Sequence, residues 1–401
     1  MNRTFVRHMA ALEENRAWAH ARYLVEEIGA RGSGTPAEKH AAIYVQDLLE
    51  GWLIPHTVED FSSPASAWRP FAVGYALAAL AVPAALIPAP AGPLLAILLL
   101  LLSLWLNIRE ALLKDTFLRR LLPQVDSLNV IGRMEAAEKA RQTLVLVAHL
   151  DSHRTPYFHR SRKRQRWFSV LLILSEIGVF LNLALFGALA LGGPRWLWWL
   201  ALPAGLLHLA LALSCARADA TPYSPGANDN AAAVGTALAV AERLREEPLL
   251  CSDLWLLFSG CEEVGAYGMR AFLETYGPAL AGARFIDLEM VGQGIPGIVT
   301  KEGLYRRVNY DPWLIEEAAT AARESWREPF FKEAHAYGES VVTQRAGFAS
   351  VTLNSVLEST GKTAVWHRMD DDMSALSPET VANVTAWVEA YLRRLDADAG
   401  S

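Results

Sequence analysis

The chain has 401 residues, of which 52% are apolar and 20% charged, with a formal net charge of −6. That length suffices for one large or two medium domains, and the acidic balance gives no reason to expect nucleic acid as a partner. Cys215, Cys251 and Cys261 are too few for a disulfide framework and lack zinc-finger spacing.

In chain order, residues 5–52 read as helical, broken by a loop at Gly29, Arg31, Gly32, Ser33 and Gly34. The opening MNRTFVRHMAALEENRAW lacks an apolar h-region, so no signal peptide is expected. From Pro70 to Ile108 no charged residue occurs, and PAPAGP interrupts the run. Two apolar spans joined by a tight turn fit this pattern. A second pair is expected over Trp167–Leu191 and Trp196–Cys215, divided by Gly192, Gly193, Pro194 and Arg195. Trp68, Trp105, Trp167, Trp196, Trp198 and Trp199 cluster near the ends, as interfacial tryptophans do.

The turns inside the pairs carry almost no charge. The outer flanks carry Arg69, Arg109, Lys114, Arg119, Arg120, Arg160, Arg162, Lys163, Arg164 and Arg166. The positive-inside rule then brings both hairpins in from the cytoplasm and back to it, in a bacterial inner membrane. Glu176 and His208 lie inside the second pair and are expected to face a neighbouring helix or a headgroup.

The polar remainder reads as α/β. Strand-length apolar runs occur at Thr143–Ala148, Leu254–Phe258, Arg284–Leu288 and Ala349–Leu353. Helical patterns occupy Ala231–Arg245 and Pro378–Leu395, the latter with Ser377 as N-cap and Pro378 at the first helical position. Strands alternating with helices imply a buried, mixed but mostly parallel sheet with helices on both faces. The expected organisation is one polar α/β domain over 1–67, 109–166 and 217–401, interrupted by hairpins at 68–108 and 167–216.

Chemistry concentrates where strands end. His149-Leu150-Asp151 closes the first apolar strand, and a carboxylate two residues on can fix the imidazole's tautomer. Alone, such a pair is more often a surface hydrogen bond. Pro225-Gly226-Ala227-Asn228-Asp229-Asn230 opens a helix and by itself reads as an N-cap. Glu262 and Glu263 end another strand, where helix-dipole placement competes with ligation. Asp287 and Glu289 end a third, and His367 sits in a loop before the last helix.

Taken in order, HxD, PGAxDN, EE before VGAYGM, an acid before Met-Val-Gly and a late WH resemble the co-catalytic di-zinc aminopeptidase family, which includes glutamate carboxypeptidase II. The resemblance spans most of the polar chain from about Ala21 to Tyr391. It implies a zinc-exopeptidase fold and two Zn2+ ions. His149 and Glu289 would hold one, Glu263 and His367 the other, and Asp229 would bridge them. Glu262 would be the general base and Asp151 the partner of His149. The family's usual Asp is Glu289 here, which leaves Asp287 as a rival ligand, and Tyr337-Gly338-Glu339-Ser340 departs from a common Ser/Thr-Asp pair. Cys261 reads as a small buried apolar residue. His153 and His159 are expected at the membrane surface rather than on a metal.

The resulting expectation is a membrane-anchored zinc aminopeptidase with a peptide substrate and the lipid bilayer as partners. A homo-oligomer is compatible with the sequence. A glutaminyl-cyclase-like acyltransferase and a non-catalytic scaffold share the fold and are the alternatives.

Overall fold

The computed structural model describes residues 15–363 and 365–400; the expected helix over residues 5–14 lies outside them. The chain divides into two compact units. The first comprises residues up to Ser63, Val125–His153 and Tyr223 onward; the second comprises Pro64–Gln124 and Arg154–Pro222.

Nine strands among the described residues form one sheet: β1 His56–Pro64, β2 Gln124–Met134, β3 Gln142–His149, β4 Ser252–Ser259, β5 Arg284–Leu288, β6 Ile295–Glu302, β7 Val308–Asn309, β8 Phe330–Ala334 and β9 Ala349–Val356. Their order is β1-β2-β4-β3-β5-β9-β6-β7, with β8 on β6. The middle strands β4, β3, β5 and β9 run parallel, while β2 and β6 pair antiparallel at either side. The sheet is therefore mixed with a parallel centre, as the run of strands and helices implied.

Strand β3 shows why this centre is apolar throughout. Leu144, Leu146 and Ala148 point into one buried cluster with helices 16–22, 36–51, 232–246, 312–325 and 378–400. Val145 and Val147 point into the opposite cluster with Met269 and Phe272 of helix 267–276. Side chains alternate across a strand, so a strand covered on both faces needs apolar residues at every position. Each fully buried Val or Leu contributes roughly 1.5–3 kcal/mol. On the first face Trp387 donates its indole N–H to Ala318 O at 2.8 Å, and Tyr391 its hydroxyl to Leu314 O at 2.9 Å. The last helix runs Pro378–Gly400, and Ser377 Oγ accepts from Thr380 N at 3.2 Å, the cap read from sequence.

The second unit is built on four apolar helices, 69–84, 91–111, 162–190 and 197–218. Small residues let them approach: a Cβ on Gly205 would meet Val82 Cγ2 at 2.6 Å, and one on Gly178 would meet Ala204 Cβ at 2.8 Å. Large apolar side chains such as Leu98, Leu101, Ile173, Ile177, Phe180, Leu206 and Leu213 remain exposed.

Three of these helices, 91–111, 162–190 and 197–218, are long and apolar enough to cross a membrane. Helix 69–84 has 16 residues, or about 24 Å at 1.5 Å per residue, against a hydrocarbon core of about 30 Å. The first apolar run thus holds one helix of spanning length where two were expected, because the chain leaves the helix just after Pro83. His208 is buried with Nε2 3.1 Å from Ser175 O on the neighbouring helix, as expected of it. His159 is buried edge-on against Phe158 and Trp68.

Candidate metal centre

The candidate residues gather at the C-terminal ends of β3, β4 and β5, where parallel α/β sheets place ligands. His149 ends β3 and is 1% exposed. Its Nδ1 lies 3.1 Å from Asp151 O and 3.5 Å from Asp151 Oδ1. Its Nε2 points the other way, 3.2 Å from Glu289 Oε2 and 3.4 Å from Asp229 Oδ1. Across the site, His367 Nε2 lies 3.2 Å from Glu263 Oε2 and 3.5 Å from Asp229 Oδ2. The two oxygens of Asp229 therefore face two different imidazoles.

Local sequence explains how each group is held. Asp151, fully buried, accepts from Glu262 N at 3.0 Å, Glu263 N at 3.1 Å and Ser33 Oγ at 2.6 Å. One carboxylate thus orients His149 and both members of the Glu pair. Asn230 Nδ2 donates to Leu288 O at 2.9 Å, and Asn230 Oδ1 accepts from Met290 N at 3.1 Å, gripping the backbone on either side of Glu289. Asn228 Oδ1 accepts from Gly292 N at 2.8 Å. The asparagines of PGAxDN are therefore staples between segments rather than helix caps. Gly226 sits at φ +66°, and a Cβ there would meet Asp229 O and Ser152 Cβ, each at 2.7 Å. Only glycine fits. Non-glycine residues Cys261, Met290 and His367 also have φ of 51–54°, a costly conformation that clusters at functional sites.

Three further groups were not picked out from sequence as parts of the site. Arg31 is 1% exposed and donates to the carbonyl oxygens of Leu24, Gly29, Leu150, Pro225 and Gly226, tying the first loop to both motif segments. Glu38 accepts from Cys261 N at 2.8 Å and Gly34 N at 2.7 Å. Asp371 accepts from Asn228 N at 2.7 Å and Asp229 N at 3.2 Å. The only signal for Asp371 was its place in an acidic run after His367, and burial alone distinguishes it from Asp370 and Asp372.

Asp287, the rival to Glu289, is buried and accepts from Ser340 N at 3.3 Å; Glu289 is the one that meets His149. Cys261 is fully buried, as read, and burial pushes its thiol well up. His153 departs from its expected surface place. It is 6% exposed, and its ring stacks on His367 with centroids 3.6 Å apart.

The charges are crowded. Burial pushes Glu262 and Glu263 well above the carboxylate range, Glu289 up to about 7, Asp287 to about 6, and Glu302 and Asp371 to about 8. For Asp151 burial works upward too, but hydrogen bonding and charge from His149, with Ser33 and Glu262 N, hold it below its ordinary value. The donor set fits divalent cations. Neighbouring donors on a tetrahedral ion with bonds of about 2.0–2.1 Å lie about 3.3 Å apart, close to the 3.2–3.5 Å found here. His149 Nε2 and Glu263 Oε1 are buried and make no hydrogen bond among the described residues.

This crowding predicts a pH dependence in the presence of a chelator. A carboxyl raised on folding binds its proton more tightly in the folded state, so its stabilisation is present below about pH 4 and lost as pH rises through the folded value. For Asp287, Glu289, Glu302 and Asp371 that window runs from about 4 to 8. The melting temperature of chelated protein should fall between pH 5 and 8.5, and a divalent cation should flatten the fall. A rise over that interval in the chelated protein would contradict it.

The sheet and this cluster define a class: an α/β fold of the zinc-exopeptidase type. The solved zinc aminopeptidase BSAP from Bacillus subtilis superposes with a TM-score of 0.56 at 14% identity, covering 94% of each chain. The glutaminyl cyclase of Bacteroides thetaiotaomicron bound to N-acetylhistamine gives 0.56 at 14% identity, covering 94% of this chain and 96% of that one. At such identity the likeness is one of fold.

The model of peptidase family M28 matches residues 210–392, which take in Asp229, Glu262, Glu263, Glu289 and His367. Over that segment the chain is similar to peptidase family M28. A probable lipoprotein aminopeptidase, LpqL, from Mycobacterium tuberculosis (strain ATCC 25618 / H37Rv) is 33% identical over 90 residues. That match spans 22% of this chain and 18% of the relative.

Proposed function

We propose that the chain is a membrane-anchored, zinc-dependent aminopeptidase with two ions per chain. The observation that carries this reading is Asp229, whose Oδ1 and Oδ2 face His149 and His367 at 3.4 and 3.5 Å. His149 and Glu289 would hold one ion, Glu263 and His367 the other, with Asp229 shared. Two zinc ions so placed would lower the pKa of a water and polarise the scissile carbonyl. Glu262 takes the proton from the attacking water and returns it to the leaving amine, so that it ends each cycle unchanged. Asp151 fixes the ring of His149 through Nδ1, which would leave Nε2 free to hold an ion, and holds the backbone of Glu262 and Glu263.

The four apolar helices enter and leave from one side, which the basic flanks assign to the cytoplasm of a bacterial inner membrane. In this reading helix 69–84 spans as well, its short length met by local thinning of the bilayer. Peptides are the substrate, and the bilayer is the anchor.

The test is zinc content and hydrolysis of a panel of free and N-blocked peptides by detergent-purified full-length protein. The expected result is two zinc per chain, release of N-terminal amino acids from free peptides only, and membrane association that survives an alkaline wash. Ammonia release from N-terminal glutaminyl peptides with one zinc would replace this reading with a cyclase.

A further inference from the structure

His153 has no place in the proposed ligand set, yet it is buried against it. Its ring lies parallel to that of His367, with centroids 3.6 Å apart and planes 10° apart. A donor atom of each, with one from Glu263, falls in a group whose members are all within 4.8 Å of one another. Two imidazoles on one ion point along different bond directions, and their centroids splay to about 5 Å for tetrahedral bonds of about 2.0–2.1 Å. A close parallel pair instead has one ring setting the plane of the other.

The backbone supports that arrangement from both sides. Ser224 N donates to His153 O at 2.8 Å, and Ser224 Oγ donates to Arg368 O at 2.9 Å. One serine thus clamps the residue that stacks to the residue after His367. His367 itself sits at φ 54°, a backbone conformation uncommon for non-glycine residues. Trp366 is tilted against it at 4.4 Å rather than parallel. His153 is also the last residue before the inserted segment 154–222, and Ser224 the second after it. The root of the insertion is therefore the clamp on this ring.

We infer that His153 is a positioning residue of the metal centre, fixing the ring plane of His367 by stacking and so tuning only the ion held with Glu263. This rests on the two-ion reading above. The test measures zinc stoichiometry and chelator competition on full-length His153→Ala, His153→Phe and wild type, with visible spectra of their Co2+ forms. His153→Ala should weaken one of the two ions roughly tenfold and leave the other unchanged, with an altered Co2+ spectrum. His153→Phe keeps a flat ring without a ring nitrogen and should bind as wild type does.

If His153→Ala fails to fold, Ser224→Ala, which releases the Arg368 carbonyl, should weaken the same ion. Equal weakening in His153→Phe and His153→Ala would mean that the nitrogen matters, overturning the stacking role. Two tight ions and an unchanged spectrum in His153→Ala would overturn the inference alone. Wild type without zinc would overturn the metal reading and the inference with it.

Discussion

Glu262→Gln is expected to keep both zinc ions and lose turnover, lowering kcat by roughly 10²–10⁴-fold. The side chain is 9% exposed, and burial pushes its carboxyl well up, with Glu289, Glu339 and Asp151 adding repulsion against the pull of His149. A base held in that surrounding accepts a proton readily, and a cation bound beside it would favour its charged form between turnovers. Glutamine keeps the volume and the polar contacts but cannot take the proton. The backbone should not move, because the amides of residues 262 and 263 are held by Asp151, not by the Glu262 side chain. KM should therefore change little while kcat falls, the signature of an interaction made in the transition state. Steady-state kinetics beside metal analysis checks both halves. A variant with full zinc and full rate would remove Glu262 from the role of base.

How much of this was legible beforehand depended on whether a residue's neighbours in sequence are its neighbours in space. Strands β3, β4, β5 and β9 were readable because burial on two faces demands uninterrupted apolar runs. Strands β1 and β8 are more polar, and β6 carries Pro296 and Gly297 near its start. β2 breaks its apolar pattern with Asp126, Ser127 and Asn129. Their pairing partners, distant in sequence, supply the stabilisation that local pattern lacks.

The site divides in the same way. His149, Asp229, Glu262, Glu263, Glu289 and His367 stood out because their order matched a family. Arg31, Glu38, Asp371 and His153 are single polar residues that would ordinarily face water. Only the folded backbone shows that Arg31 meets five carbonyls and that His153 lies on His367. Hydropathy likewise revealed the apolar runs but not where the first helix stops, which depends on the backbone beyond Pro83.

Asp229→Ala is expected to cost both ions at once. Every other proposed ligand serves one imidazole's side of the site, whereas Asp229 places one oxygen toward each. Its backbone is held independently by Asp371, so the substitution removes the carboxylate without freeing the segment. Affinity at both positions should fall by more than the roughly 10–100-fold that loss of an outer partner produces, and peptide hydrolysis should vanish with it.

Stability separates this outcome from simple misfolding. A ligand at 100 times its Kd stabilises the folded state by about 2.7 kcal/mol, so zinc should raise the melting temperature of wild type and leave that of Asp229→Ala unmoved. Without metal the order should close or reverse, because Asp229 adds to the repulsion that raises Glu263, Glu289 and Asp371, and alanine relieves it. Calorimetry of both proteins with zinc and with chelator reads all four values. A variant that still binds one ion tightly would show that Asp229 belongs to a single site, and the shared-ligand geometry would have to be abandoned.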